Sequence, residues 1–223
     1  MSEENILLVG GLWLPARAWS DVVTELAGRG RVAVPVTLPV GRDDTLDDQV
    51  NAVLAAVDAA PGRTVVVGHS AAGTLAWAAA DARPDRVAKV AMIGGFPSED
   101  GKKYADFFEI TDGVMAFPGW VPFEGADAAD LDATARAAFA AAAEPVPQGV
   151  AQGVVRLTDD RRYDVPVTLI CPEFTPAEAR DWLAAGELPE LARAKHLDLV
   201  DIDSGHWPML TRPAELATLI AAL

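Results

Sequence analysis

The sequence predicts an α/β protein built on one parallel sheet with helices on both faces. Three observations carry that expectation. Short apolar runs, many of them β-branched, alternate with stretches of helical spacing, and strands that follow one another through helices must run parallel. One such run, Thr64-Val65-Val66-Val67, ends at Gly68-His69-Ser70-Ala71-Ala72-Gly73 and reopens as an alanine-rich helix through Ala78, Ala79 and Ala80. The alternation then breaks once, from Ser98 to about Asp164, before it resumes.

Composition bounds the rest. A chain of 223 residues, 51% of them hydrophobic, is long enough for one domain with a sizeable core and too short for two large ones. No apolar run approaches the ~18 residues of a membrane span. The start, Met1-Ser2-Glu3-Glu4-Asn5, is acidic and lacks the basic opening of a signal peptide. One cysteine, Cys171, excludes an internal disulfide and fits a reducing compartment, so a cytoplasmic protein is expected. A net charge of −15 argues against nucleic acid and anionic membrane as partners. Three separated histidines and one cysteine make no zinc site, and no metal or cofactor is expected. A homodimer is compatible with the sequence.

In chain order, Ile6-Leu7-Leu8-Val9 reads as a buried strand that stops at Gly10-Gly11. Leu12, Trp13 and Trp19 follow, then helical spacing through Val22, Val23 and Leu26. Val32 to Pro39 is a second strand, placed at an edge by its prolines. Thr45 opens a helix as N-cap, with Asp47 and Asp48 in its first turn, and Pro61-Gly62 closes it. Val87 to Ile93 is the next strand. The interruption that follows gathers Phe107, Phe108, Met115, Phe117, Trp120 and Phe123, then a helix over about 126–143. Val165 to Cys171 resumes the sheet, followed by helical residues from about Pro176 to Ala194. Leu197 to Ile202 is the last strand, and a helix from Pro213 to Leu223 ends the chain.

The turn at Ser70 is where chemistry is expected. Small residues crowd it because a sharp strand-to-helix turn brings backbone close and holds the serine hydroxyl out. Gly68-His69-Ser70-Ala71-Ala72 thereby resembles the G-x-S-x-G nucleophile elbow of the α/β-hydrolase superfamily, with Ala72 where glycine is usual. Gly10-Gly11-Leu12-Trp13, with Trp19 six residues on, is similar to the H-G-x-W segment of the small esterase and hydroxynitrile-lyase branch, Gly10 replacing the histidine. The resemblance covers nearly the whole chain. It implies an α/β-hydrolase fold of about six mainly parallel strands with a helical cap, residues 98–164, inserted after the fourth. It implies Leu12 and Ala71 N–H groups as the oxyanion donors.

A serine needs a base, and the base needs a carboxylate to hold its tautomer. His206, in Ser204-Gly205-His206-Trp207 after the last strand, sits where the family keeps its base. His69 should point away on the elbow, and His196 should be solvated. The family's acid follows the next-to-last strand, where Glu173 is the nearest candidate. Some members take it from the preceding strand, which leaves Glu99 or Asp100 open. Trp13, Phe107, Phe108, Phe117, Trp120 and Trp207 are the expected substrate-binding residues. The resemblance implies a cofactor-free serine hydrolase cleaving a small, uncharged, hydrophobic ester or lactone through an acyl-enzyme on Ser70. The same triad could serve a lyase or cyclase acting on a natural-product intermediate. An inactive hydrolase fold used as a binding protein is the third expectation.

Overall fold

In a computed structural model, residues 4–223 are described; Met1 to Glu3, part of the acidic start, lie outside them. The apolar runs become β1 (Asn5–Val9), β2 (Ala33–Pro35), β3 (Thr64–His69) and β4 (Val87–Ile93). Between them lie α1 (Ser20–Gly28), α2 (Leu46–Ala59) and α3 (Ala72–Ala82). The inserted segment holds β5 (Val114–Met115), α4 (Ala133–Ala142), β6 (Val146–Pro147) and α5 (Gln148–Ala151). Then come β7 (Val167–Cys171), α6 (Pro176–Ala185), α7 (Pro189–Ala192), β8 (Leu197–Asp201), α8 (Pro208–Thr211) and α9 (Pro213–Ala221). The main sheet has six strands in the order β2-β1-β3-β4-β7-β8, every pair parallel.

Its central strand β3 is buried along its whole length, which is why it reads as an unbroken Val run rather than an alternating one. Helix α3 lies almost entirely inside, and its alanines are the means: small side chains let it pack tightly while Leu75 and Trp77 fill the remaining space. At its C-terminal turn, Asp81 forms a buried charged cluster with Arg162 and Glu190. Arg162 Nη1 lies 3.1 Å from Asp81 Oδ1, and Glu190 Oε2 accepts from Trp77 Nε1 at 2.9 Å. This clamps the end of the inserted segment against α3 and α7, away from Ser70.

Several elements depart from the sequence expectation. The second strand has three paired residues, not eight, although it does take the edge. The helix placed at 126–143 begins only at Ala133, because the Asp132 side chain accepts the Ala135 N–H and caps it there. A short 3-10 turn, Ala126–Ala128, precedes it. The helical stretch after β7 is two helices, since Gly186 turns left-handed (φ +76°) and ends the first. The inserted segment also contains a two-residue antiparallel ladder, Val114 and Met115 against Pro147 and Val146. The Thr45 cap is as expected, and the Thr45 N–H donates in return to the Asp48 carboxylate, completing a capping box.

Candidate active site

Chain direction reverses about β1: the chain passes outward from β1 to β2 and returns to β3. In open parallel sheets, the crevice beyond the carboxyl ends of the strands at such a switch point is where ligands bind. The loops that leave β1, β3, β4, β7 and β8 at that edge carry Leu12, Ser70, Gly94, Glu173 and His206.

Ser70 holds φ +54°, the left-handed region that side chains avoid. Such strain costs on the order of 1–3 kcal/mol and persists only where the surroundings enforce it. Here they do. A Cβ on Gly68 would lie 2.3 Å from the Ala72 carbonyl oxygen, and one on Gly95 would lie 2.3 Å from the Ser70 carbonyl oxygen. Gly73 is under no such pressure: a Cβ there would meet only Met92, at 3.5 Å. The elbow therefore demands glycine before the serine and tolerates Ala72 after it.

His206 Nδ1 lies 2.7 Å from Glu173 Oε1, both side chains about 14% exposed. The other carboxylate oxygen, Oε2, is buried and meets no donor among the described residues. Gly94 makes room for the pair. With φ +58°, it holds a position where a Cβ would fall 3.1 Å from both Glu173 Oε2 and His206 Nδ1. The other acid candidates are elsewhere: Asp100 Oδ1 accepts the Leu157 N–H at 2.9 Å, and Glu99 lines a separate cleft with Phe96 and Pro189. The Leu12 and Ala71 N–H groups make no hydrogen bond to a described residue.

His69 does not point away. Its ring packs 4.8 Å from that of His206, and its Nε2–H donates to the His206 carbonyl at 2.8 Å. A carbonyl can only accept, so the proton sits on Nε2 and Nδ1 is left bare. Burial first, and then the neighbouring His206, push the His69 pKa well below 6.5, so it stays neutral beside any charge on His206. Below pH 6.5 the unfolded chain takes up a proton that the folded His69 refuses, so stability falls as pH drops. The melting temperature of the wild type should accordingly drop more between about pH 7.5 and pH 5.5 than that of His69→Gln, which keeps a donor for the His206 carbonyl. An equal drop in both would exclude His69 as the source. His196 is exposed. Burial pushes the Cys171 thiol up to about 12, and it is inert core.

A pocket of about 240 Å³ opens over Ser70, His206 and Glu173. Its apolar walls are Leu12, Trp13, Phe107, Phe108, Phe123 and Trp207. Phe117 and Trp120 are not on it. They pack behind Phe123 in an aromatic cluster, Phe117 5.1 Å from Phe139 and Trp120 5.3 Å from Trp207 between ring centres. Trp13 bridges the two layers, 5.4 Å from Phe108 and 5.6 Å from Phe117. In the sequence Phe123 is only one of a gathered aromatic set, and Asp127 carries no signal. Asp127 lines the pocket, and its carbonyl accepts the His206 N–H at 2.8 Å. Burial holds its carboxyl above the usual range; His206 pulls the other way, and Glu173 adds to the rise. The neighbouring Asp130 Oδ2 accepts the Gly205 N–H at 2.9 Å, so the inserted segment grips the His206 loop at two points.

Comparison with known proteins bears on the family and the fold. Residues 6–219 match the alpha/beta hydrolase family. Lipase LipV of Mycobacterium tuberculosis (strain H37Rv) is 28% identical over 249 aligned positions, covering 97% of this chain and 91% of the lipase. Among solved structures, an extracellular alpha/beta-hydrolase from a Paenibacillus species superposes with a TM-score of 0.80 at 17% identity, over 98% of each chain. The methylesterase MES16 from Arabidopsis gives 0.75 at 16%, again over 98% of each. Tomato methylketone synthase I gives 0.75 at 14%, over 100% of this chain and 98% of that one. This chain is thus a hydrolase-fold enzyme, and it belongs to the alpha/beta hydrolase family.

Proposed function

We propose that this enzyme is a serine esterase acting on small, uncharged, hydrophobic esters or lactones. The observation that carries the reading is the 2.7 Å contact of His206 Nδ1 with Glu173 Oε1 in the pocket that exposes Ser70. With Nδ1 engaged, Nε2 is the ring nitrogen left to take the Ser70 proton. Ser70 Oγ attacks the acyl carbon, and the resulting oxyanion is met by the unspent Leu12 and Ala71 N–H groups. The intermediate collapses as the ester C–O bond breaks and His206 returns its proton to the leaving alcohol. Water then repeats the cycle, His206 again taking the proton, and releases the acid from Ser70.

Residues 98–164 act as the cap in this reading, since Phe107, Phe108, Phe123 and Asp127 supply one wall of the pocket. At about 240 Å³ the space is below the ~300–1,000 Å³ of pockets for drug-sized ligands, so compact acyl groups fit best. Asp127 selects as well: among the described residues no Lys or Arg lines the pocket, so a carboxylate-bearing substrate meets the Asp127 and Glu173 carboxylates with no fixed cation to pair with. That disfavours the lyase reading for acidic intermediates. It also favours release of the carboxylate product.

A panel of 4-nitrophenyl esters of rising acyl length tests this. The wild type should prefer acetate to butyrate over decanoate. Phe107 is 65% exposed, so Phe107→Ala should move the optimum to longer chains with an unchanged melting temperature. Phe117→Ala should do the reverse, keeping the preference while costing part of the ~3–5 kcal/mol of a fully buried ring. No ester hydrolysis at any length would sink the proposal.

A further inference from the structure

Behind the loop that follows β1 lies a second cavity, of about 250 Å³, as large as the pocket over Ser70. Leu12 and Trp13 are common to both, so the loop is the partition between them. Leu14, Val36, Leu38 and Val146 give the second cavity an apolar side, while polar groups line about as much of it. Two polar side chains on its wall are deeply buried: Tyr104 is 2% exposed and Gln49 4%. Gln49 Nε2 donates to the Pro39 carbonyl at 2.9 Å, which fixes the amide and leaves its oxygen without a donor among the described residues. The Tyr104 hydroxyl likewise has no hydrogen-bond partner among them. Burial raises its pKa, so it stays a neutral phenol able to donate.

Both atoms stay open to solvent in the cavity, so an acceptor and a donor without protein partners are available there to an occupant. Charge narrows its identity. The two charged residues on the cavity, Arg17 and Glu144, face each other at 3.9 Å, and Arg17 Nη2 also donates to the Ala142 carbonyl. No unpaired charge remains to recruit an ion. The partition itself is held under strain: Trp13 sits at φ +62°, kept there by its Nε1–H bond to the Met115 carbonyl and by the Glu144 N–H on its own carbonyl.

We propose that this cavity is a second ligand site, for an uncharged, amphipathic molecule whose apolar part carries one hydroxyl or carbonyl group, and that its occupant braces the Gly11–Trp13 loop from behind. Binding there does not require Ser70 to be a nucleophile, so this inference and the esterase reading can fail separately.

The test is titration of ¹⁵N-labelled protein with 1-hexanol, followed by amide shifts. Gly10 and Val40 line only the second cavity, whereas Ser70 and Phe123 line only the first. Saturable shifts at Gly10 and Val40 are expected. Tyr104→Phe should weaken them severalfold, in keeping with loss of one hydrogen bond. Thr37→Trp should abolish them; Thr37 is exposed at the cavity, so the indole can close it without entering the core. Hexanoate should produce no saturable shift at these amides. Shifts confined to Ser70 and Phe123, shifts unaffected by either substitution, or no saturable shift at all would overturn the proposal.

Discussion

Ser70→Ala protein is expected to fold normally and to hydrolyse an activated ester on the order of 10⁴ to 10⁶ times more slowly than the wild type. Folding should survive because the elbow is enforced from outside: Gly68 and Gly95 admit the backbone of Ala72 and Ser70, and neither contact involves the serine hydroxyl. Activity should not survive, because in the proposed mechanism the hydroxyl is the atom that forms the acyl bond. His206→Ala should cost a similar factor, and the double variant little more than either alone, since nucleophile and base act as one unit. A fluorophosphonate should add its mass to wild-type protein and not to Ser70→Ala, read by intact mass spectrometry. Equal labelling of both would place the nucleophile elsewhere.

The second large effect concerns the carboxylate. Glu173→Gln is expected to lower kcat by about 10⁴, near the loss seen when the equivalent acid of a serine-protease triad becomes an amide. Glutamine keeps the size and a hydrogen-bonding end, but it cannot stabilise the imidazolium that forms as Ser70 gives up its proton. Its amide can also donate to Nδ1 and trap the wrong tautomer. Circular dichroism and melting temperature should change little, because Gly94 leaves the same room for either side chain. Glu99→Gln and Asp100→Asn are the comparison. Asp100→Asn weakens the bond from the Leu157 N–H and should cost some stability while sparing kcat. Near-wild-type turnover in Glu173→Gln would reduce the proposed relay to a Ser70–His206 dyad.

Much of this was legible in one dimension because it is local. A Val run ending in Gly-His-Ser-Ala-Ala specifies a buried strand and a crowded turn through steric rules that act within a few residues. The Thr45 cap and the alternation of strands with helices are local in the same sense, and alternation alone is enough to require a parallel sheet. The alanine content of α3 is likewise a statement about close packing that can be read from the chain.

What the sequence left open was decided by contacts between distant segments. In the sequence Glu173 is preferred to Glu99 and Asp100 only for its place after the next-to-last strand. Only the pairing of β4 with β7 and of β7 with β8 brings the loop after Cys171 beside the loop after β8, and only an unsubstituted Gly94 admits the carboxylate between them. The aromatic segment behaves the same way. Without helical or strand periodicity nothing in the order of residues says which face a ring takes, so Phe107 and Phe108 were indistinguishable from Phe117 and Trp120 until packing against Phe139 and Trp207 drew the latter two away from the pocket. His69 and Asp127 entered the site for a related reason. Each bonds the His206 backbone, His69 through its side chain and Asp127 through its carbonyl, and contacts between segments so far apart in the chain leave no mark on the local sequence.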